Sequence, residues 1–193
     1  MIKKILLSLS SIFLIWQSYS LLHSIDKLEI NSWGLLFFIA WIINLFITGI
    51  FAFSGFAFPT QKLLSKSYYK ICHPKRLKKF YKVLRVNLFR NMLLATIWKS
   101  QKQRKKYFNG EKNGISKLAE QSMKSEFGHL IPFLILCFLS VYFIAIDLIE
   151  LGVFSLFINF IGNLYPIILQ RHHRMRIQII RKRQHQTEDK INF

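Results

Sequence analysis

Acidic side chains are scarce in this chain: nine Asp and Glu stand against 28 Lys and Arg, for a formal net charge of +19 over 193 residues. Cysteine is scarcer still, with two. Cys72 and Cys137 lie far apart without metal-ligand spacing. Cys137 falls inside an apolar run, so neither a disulfide nor an oxidising compartment is indicated. No Gly-x-Ser-x-Gly elbow is present, no glycine-rich loop that would cradle phosphate, and no Cys-x-x-Cys pair. These absences set aside nucleophile-elbow, phosphate-loop and dithiol chemistry.

Apolar residues, by contrast, are abundant. The chain is 52% hydrophobic and 16% aromatic. The apolar residues are blocked into long runs, with the charge blocked between them. A soluble domain rarely combines these features, and the pattern reads as an integral membrane protein with basic flanking parts. The charge alone would also suit nucleic acid. Membrane-flanking loops are basic by rule, however, so membrane lipids and not nucleic acid are the expected partners.

Four runs have the length of a span. Lys3 and Lys4 precede Ile5 to Leu22. A secretory signal peptide begins in the same way, but this run ends in the bulky Trp16, Tyr19 and Leu21, which favours an uncleaved helix. A short loop with Asp26, Lys27 and Glu29 leads to the second run, Trp33 to Phe58, closed by Pro59. Within it Asn44, Thr48, Gly49, Ser54 and Gly55 mark faces suited to another helix. The third run is Leu130 to Ile146, with Pro132 near its start, and the fourth is Gly152 to Leu169. The expected fold is all-α: four transmembrane helices plus an amphipathic interfacial helix. It divides into an N-terminal hairpin (1–58), a basic segment (59–129), a C-terminal hairpin (130–171) and a basic tail (172–193), together one compact unit.

In the basic segment, Leu77, Phe80, Tyr81, Leu84, Leu88 and Met92 recur at helical spacing among Lys78, Lys79, Lys82, Arg85 and Arg90. This predicts one basic amphipathic helix in the headgroup plane; a solvated helix packed on its own domain is the alternative. Val86 to Trp98 is apolar enough to dip into the bilayer but too short to span it. Gln101 to Lys106 is a basic patch. The Asn109-Gly110 and Asn113-Gly114 pairs predict turns, and Ser116 is the expected N-cap of the next helix. The start of the chain, segment 59–129 and the stretch from Arg171 to Lys190 hold 2, 18 and 7 basic residues, against one and none in the two short loops. The positive-inside rule then puts both termini and the middle segment in the cytoplasm of a multi-pass cell (inner) membrane protein.

Two polar clusters stand out at the edges of the apolar runs. Glu126 and His129, three residues apart, share a helix face. An acid is rare in this segment. A carboxylate beside an imidazole can act as a general base with its orienting partner, taking a proton from a hydroxyl that attacks a thioester or ester; an interfacial salt bridge is the alternative. One Glu-x-x-His copy offers too few ligands for a di-metal centre, so no metal is expected. The second cluster is Asn163, Tyr165-Pro166 and Gln170-Arg171, with Arg174 following. Asn163, Gln170 and Arg174 fall on one stripe of a helix. Pro166 cannot bond the carbonyl of Gly162 and should kink the helix, lining a groove, unless Gly162 and Asn163 serve a helix contact. Arg171, Arg174 and Arg176 either anchor the helix end or grip an anionic group of a donor or substrate.

The stretches Phe108-Asn109-Gly110, Gly114, Gln121 to Glu126-Phe127-Gly128-His129, and Asn163-Leu164-Tyr165-Pro166-Ile167-Ile168-Leu169-Gln170-Arg171 together resemble the small integral-membrane glycosyl-4,4'-diaponeurosporenoate acyltransferases. The resemblance covers roughly residues 75 to 185. It implies transfer of a fatty acyl chain to the sugar of a glycosylated carotenoid acid, the last step of a membrane pigment pathway. The chain departs from the family at His172-His173, where Tyr-Asn is usual, and at Phe89-Arg90, where Trp-Lys is usual; these departures bear on the acceptor. The large glycerolipid acyltransferase families are a poorer match, because Leu134 stands where their His-x-x-x-x-Asp pattern needs Asp. The reading is therefore a membrane acyltransferase with Glu126 and His129 catalytic and Asn163, Gln170, Arg171 and Arg174 binding substrate. It needs no bound cofactor. Acyl-CoA or acyl carrier protein serves as co-substrate, a lipid-like molecule as acceptor, and pathway enzymes as partners. The competing reading is a non-catalytic basic scaffold for partner enzymes or anionic lipid; a transporter subunit would show internal repeats, and none is seen.

Overall fold

A computed structural model describes residues 1–25, 32–96, 99 and 112–191, with the side chains of 112, 113 and 183–191 left aside. Among the described residues every regular element is helical: α1 Ile2–Ser24, α2 Trp33–Ala57, α3 Lys66–Tyr69, α4 Pro74–Val83, α5 Val86–Ala95, α6 Lys112–Ala145, α7 Ile149–Asn159 and α8 Tyr165–Ile191. A 3-10 turn at Thr60–Lys62 and a π-helical turn at Phe160–Leu164 complete the set. Four stretches are long and apolar enough to cross a membrane: Ile2–Ser24, Trp33–Ala57, Gly114–Ala145 and Ile149–Lys182. The chain is thus an all-α membrane protein, as its hydrophobic runs require. It divides into two compact units, residues 1–60 with 124–167, and 61–123 with 168–193.

In the first unit α1 packs on α2, and α2 on α7. The small and polar residues of α2 serve two neighbours. Toward α1, the Ser11 hydroxyl lies 3.2 Å from both the Ile50 carbonyl and the Ser54 hydroxyl. Toward the C-terminal hairpin, Asn44 Nδ2 donates to Ser155 Oγ at 3.1 Å. Such bonds between spans contribute about 0.6 kcal/mol each on average. Gly152 lets α7 come close to α6: a Cβ there would sit 2.7 Å from the Ser140 carbonyl oxygen. The core gathers Ile39, Ala40, Ile43, Ile47, Leu136, Phe143 and Leu151. Phe138, Val141, Phe157 and Trp41 face outward, as lipid-facing side chains do. Helix α6 closes on Asp147, which takes a left-handed conformation (φ 64°), while Leu148 N–H donates to the Phe143 carbonyl at 2.9 Å. That is the helix-ending geometry usually given to glycine, and Asp is among the few other residues that tolerate it.

In the second unit two expectations need correction. The single amphipathic helix over 77–92 is two helices, α4 and α5, parted at Arg85, which is left-handed with φ 48° and ψ 38°. The apolar spacing continues across this break, so periodicity alone cannot reveal it. Tyr81 and Val86 are buried, whereas Phe80, Val83, Leu88 and Met92 are exposed. Helix α5 has 10 residues, roughly 15 Å of rise, against a hydrocarbon core of about 30 Å, so it does not span. Helix α6 begins at Lys112, four residues before the expected cap. Asn113-Gly114 therefore lies within its first turn, where backbone N–H groups have no intrahelical partner and a Gly costs little. Ser116 instead accepts from Arg181 at 2.9 Å. The Asp26-Lys27-Glu29 loop, the 101–106 patch and Asn109-Gly110 lie outside the described residues.

Candidate active site around His129

Polar groups inside an apolar span must find partners within the protein, since the hydrocarbon around them offers none. In the first unit that requirement produces a directed chain. Helix α7 brings Asn159 and the π turn brings Asn163, both essentially inaccessible to solvent. Asn159 Nδ2 donates to the Phe133 carbonyl at 3.0 Å and lies 3.5 Å from Cys137 Sγ. Asn163 Nδ2 donates to Asn159 Oδ1 at 3.0 Å, and Asn163 Oδ1 lies 3.0 Å from His129 Nδ1. The Thr48 hydroxyl of α2 sits against the same amide, 3.1 Å from Nδ2 and 3.3 Å from Oδ1.

The direction of this chain is fixed at its far end. A backbone carbonyl accepts and cannot donate, so Asn159 must turn its nitrogen to Phe133 and its oxygen to Asn163. Asn163 must then turn its nitrogen to Asn159 and its oxygen to His129. The oxygen accepts, so His129 Nδ1 carries hydrogen. In the neutral ring the lone pair is therefore on Nε2. An imidazole held in one tautomer with Nε2 as its basic atom is what general-base catalysis requires, and an amide can hold it as a carboxylate does elsewhere.

The backbone is adapted at both histidine and asparagine. Pro132 has no N–H to offer the Gly128 carbonyl one turn earlier, and Pro166 has none for Gly162. Near Pro166 the chain answers with the π turn Phe160–Leu164, in which the Tyr165 N–H donates to the Phe160 carbonyl, five residues back. Single π turns of this kind are frequent at functional sites. Gly162 has nothing within 4 Å of where a Cβ would be, so of the Gly162-Asn163 pair Asn163 makes the helix contact and Gly162 plays no part in it.

Glu126 lies one turn before His129 and is completely buried. The sequence makes it the expected orienting partner of the imidazole; at Nδ1 the ring meets Asn163.

Glu126, His129 and Asn163 belong to the first unit; Gln170, Arg171 and Arg174 belong to the second. There Arg174 is turned inward and only 4% exposed. Its Nε donates to the Tyr69 carbonyl and one terminal nitrogen to the Ser122 carbonyl and hydroxyl, all at 3.3 Å, and the guanidinium lies over the Tyr69 ring. The Gln170 carbonyl accepts from the Ser122 hydroxyl at 2.9 Å. Arg171 is half-buried, with its guanidinium 5.3 Å from the Tyr68 ring centre. Sequence reasoning missed Asn159, although the signal was there: a second Asn four residues before Asn163 in the same apolar run, subject to the same cost of lone polar groups at membrane depth.

The fold defines an all-helical membrane protein with an oriented histidine inside its helix bundle. A family model described as glycosyl-4,4'-diaponeurosporenoate acyltransferase matches residues 65–183, more than half of the chain, and the chain belongs to this family. No curated protein and no solved structure matches it. Membership makes it an enzyme, an acyltransferase of carotenoid biosynthesis, in place of the scaffold and transporter readings.

Proposed function

We propose that the enzyme esterifies a hydroxyl of a lipid-like acceptor, the sugar of a glycosylated carotenoid acid, with a fatty acyl chain drawn from a thioester of coenzyme A or acyl carrier protein. The observation that carries the mechanism is the hydrogen-bond chain from Phe133 through Asn159 and Asn163 to His129. His129 Nε2 takes the proton from the acceptor hydroxyl as its oxygen attacks the thioester carbonyl carbon. The tetrahedral intermediate collapses, the C–S bond breaks, and the leaving thiolate receives the proton from the imidazolium. Ester and free thiol are the products, and the ring returns to its starting tautomer. Both ends of the Asn163 amide are engaged, so it acts as the positioning residue for His129 and not as a substrate contact. Glu126, buried one turn away, is the second proposed catalytic residue. Gln170 and Arg171 are proposed substrate contacts in the second unit. Arg174, tied to Tyr69 and Ser122, supports that region from within.

The distribution of basic residues supports a multi-pass protein of the cell (inner) membrane with both termini cytoplasmic. Membrane lipids surround it, and pathway enzymes are its proposed partners.

His129→Ala tests the mechanism. With membrane levels matched to wild type, the esterified product in lipid extracts should fall by about a hundred- to ten-thousand-fold, the usual contribution of a positioned base. Undiminished product would remove His129 from the chemistry.

A further inference from the structure

Tyr81 of α4 is 4% exposed, and its hydroxyl has no hydrogen-bond partner. A buried hydroxyl left without a partner costs free energy of about 1–3 kcal/mol, so its surroundings call for an explanation. Its ring stacks on His172 of α8, with centroids 4.1 Å apart and planes 17° from parallel. Lys78 lies one turn before Tyr81 on α4 and Arg176 one turn after His172 on α8, so both share a helix face with the stacked rings, and the charges of Arg90 and Arg176 favour the ionised phenol against its burial. The same two arginines act on His172 together with Lys78, and on His173. Arg90 has a second unsatisfied donor: its Nε is buried without a partner, while one terminal nitrogen donates to Asn91 Oδ1 at 3.2 Å. The acid among the described side chains of this unit, Glu120, is engaged at 2.6 Å by Gln61 Nε2.

Three cations, two imidazoles and two unpartnered buried donors from α4, α5 and α8 therefore share one place, with no carboxylate among the described side chains there. Like charges so gathered repel, and the missing partner is an anion rich in acceptor oxygens. We propose that Lys78, Tyr81, Arg90, His172 and Arg176 form a phosphate-binding site, with the Tyr81 hydroxyl and Arg90 Nε donating to phosphate oxygens. Phosphate of this kind is carried by an anionic phospholipid headgroup and by the nucleotide part of a coenzyme A thioester. The site lies wholly in the second unit, and it stands whether or not His129 is the base.

The test uses the full chain in nanodiscs of zwitterionic lipid. One arm adds coenzyme A; the other replaces part of the lipid with phosphatidylglycerol. One or both should raise the thermal unfolding midpoint of the wild type, less so as ionic strength rises. Arg90→Gln should weaken the response by about tenfold in apparent affinity, as loss of a charged hydrogen-bond donor does. Tyr81→Phe keeps the ring stacked on His172 and removes only the hydroxyl. It should fold at least as well as wild type without probe, yet respond less to the probe. A response to coenzyme A alone identifies a soluble donor's phosphate, and one to phosphatidylglycerol alone a headgroup. Three results would overturn the site: no response of the wild type to either probe, an undiminished response in both variants, or an equal loss in Lys66→Gln, which removes an exposed cation of α3 outside the cluster.

Discussion

Tyr69 and Tyr81 show how single side chains pay different costs of burial in the second unit. Burial raises both phenols above the ordinary value of 10.0, against the pull of Arg174 at Tyr69 and of Arg90 and Arg176 at Tyr81. A phenol with a raised value in the folded state holds its proton while the unfolded chain has already lost it. The stability it contributes is therefore complete below pH 10 and declines as pH rises from there through the folded value. In an alkaline titration followed by tyrosinate absorbance, Tyr69 and Tyr81 should contribute a late component that coincides with loss of helical signal. Tyr69→Phe with Tyr81→Phe should remove that late component. An unchanged titration in the double variant, apart from the lost amplitude of two phenols at the ordinary value, would contradict it. The candidate base was legible at this scale because a histidine at the border of an apolar run is conspicuous. The bond from its Nδ1 to Asn163 was not, because it joins residues 34 positions apart on different elements.

At the scale of the element, the spans were readable because hydrophobic run length is set by bilayer thickness. Where they touch was readable in part: Asn44, Thr48, Gly49 and Ser54 all meet neighbouring helices. What periodicity could not supply was the backbone's own departures, the left-handed Arg85 and the π turn, since neither interrupts the apolar spacing. Two glycines make a paired prediction. A Cβ at Gly152 would lie 2.7 Å from the backbone oxygen of Ser140, whereas one at Gly49 would lie 2.6 Å from Leu14 Cδ1, the end of a flexible side chain. Backbone cannot step aside, and Leu14 can turn. Gly152→Ala should therefore destabilise the first unit by about 1–3 kcal/mol and Gly49→Ala by clearly less, measured by denaturation in mixed micelles. Equal losses would show that α6 and α7 separate as easily as Leu14 rotates.

For the whole molecule the decisive property is the uneven placement of charge. Of 28 basic residues, 18 lie between positions 59 and 129, and carrying them across a bilayer is far costlier than leaving them on the side of synthesis. The chain carries its own reporter: Cys72 is exposed in that segment, and Cys137 lies within an apolar span. A membrane-impermeant maleimide should label Cys72 in inside-out vesicles and not in intact cells. Labelling in intact cells would invert the orientation and move the basic segment outside. The architecture was the most legible level of all, because composition and run length act on every residue at once. The assignment of polar side chains to partners was the least legible, because it depends on angles that no single stretch of sequence records.

The π turn at Phe160–Leu164 has a consequence for how this enzyme tolerates change. Asn159 and Asn163 meet because four steps separate them within a widened coil. Removing Gly162, a residue whose side-chain position touches nothing, would alter neither charge nor polarity. It would nevertheless swing the second amide by about 100° around the helix axis, away from the imidazole it holds. Chain length between the two asparagines thus matters to the hydrogen-bond chain that ends on His129 as much as the identity of the asparagines themselves.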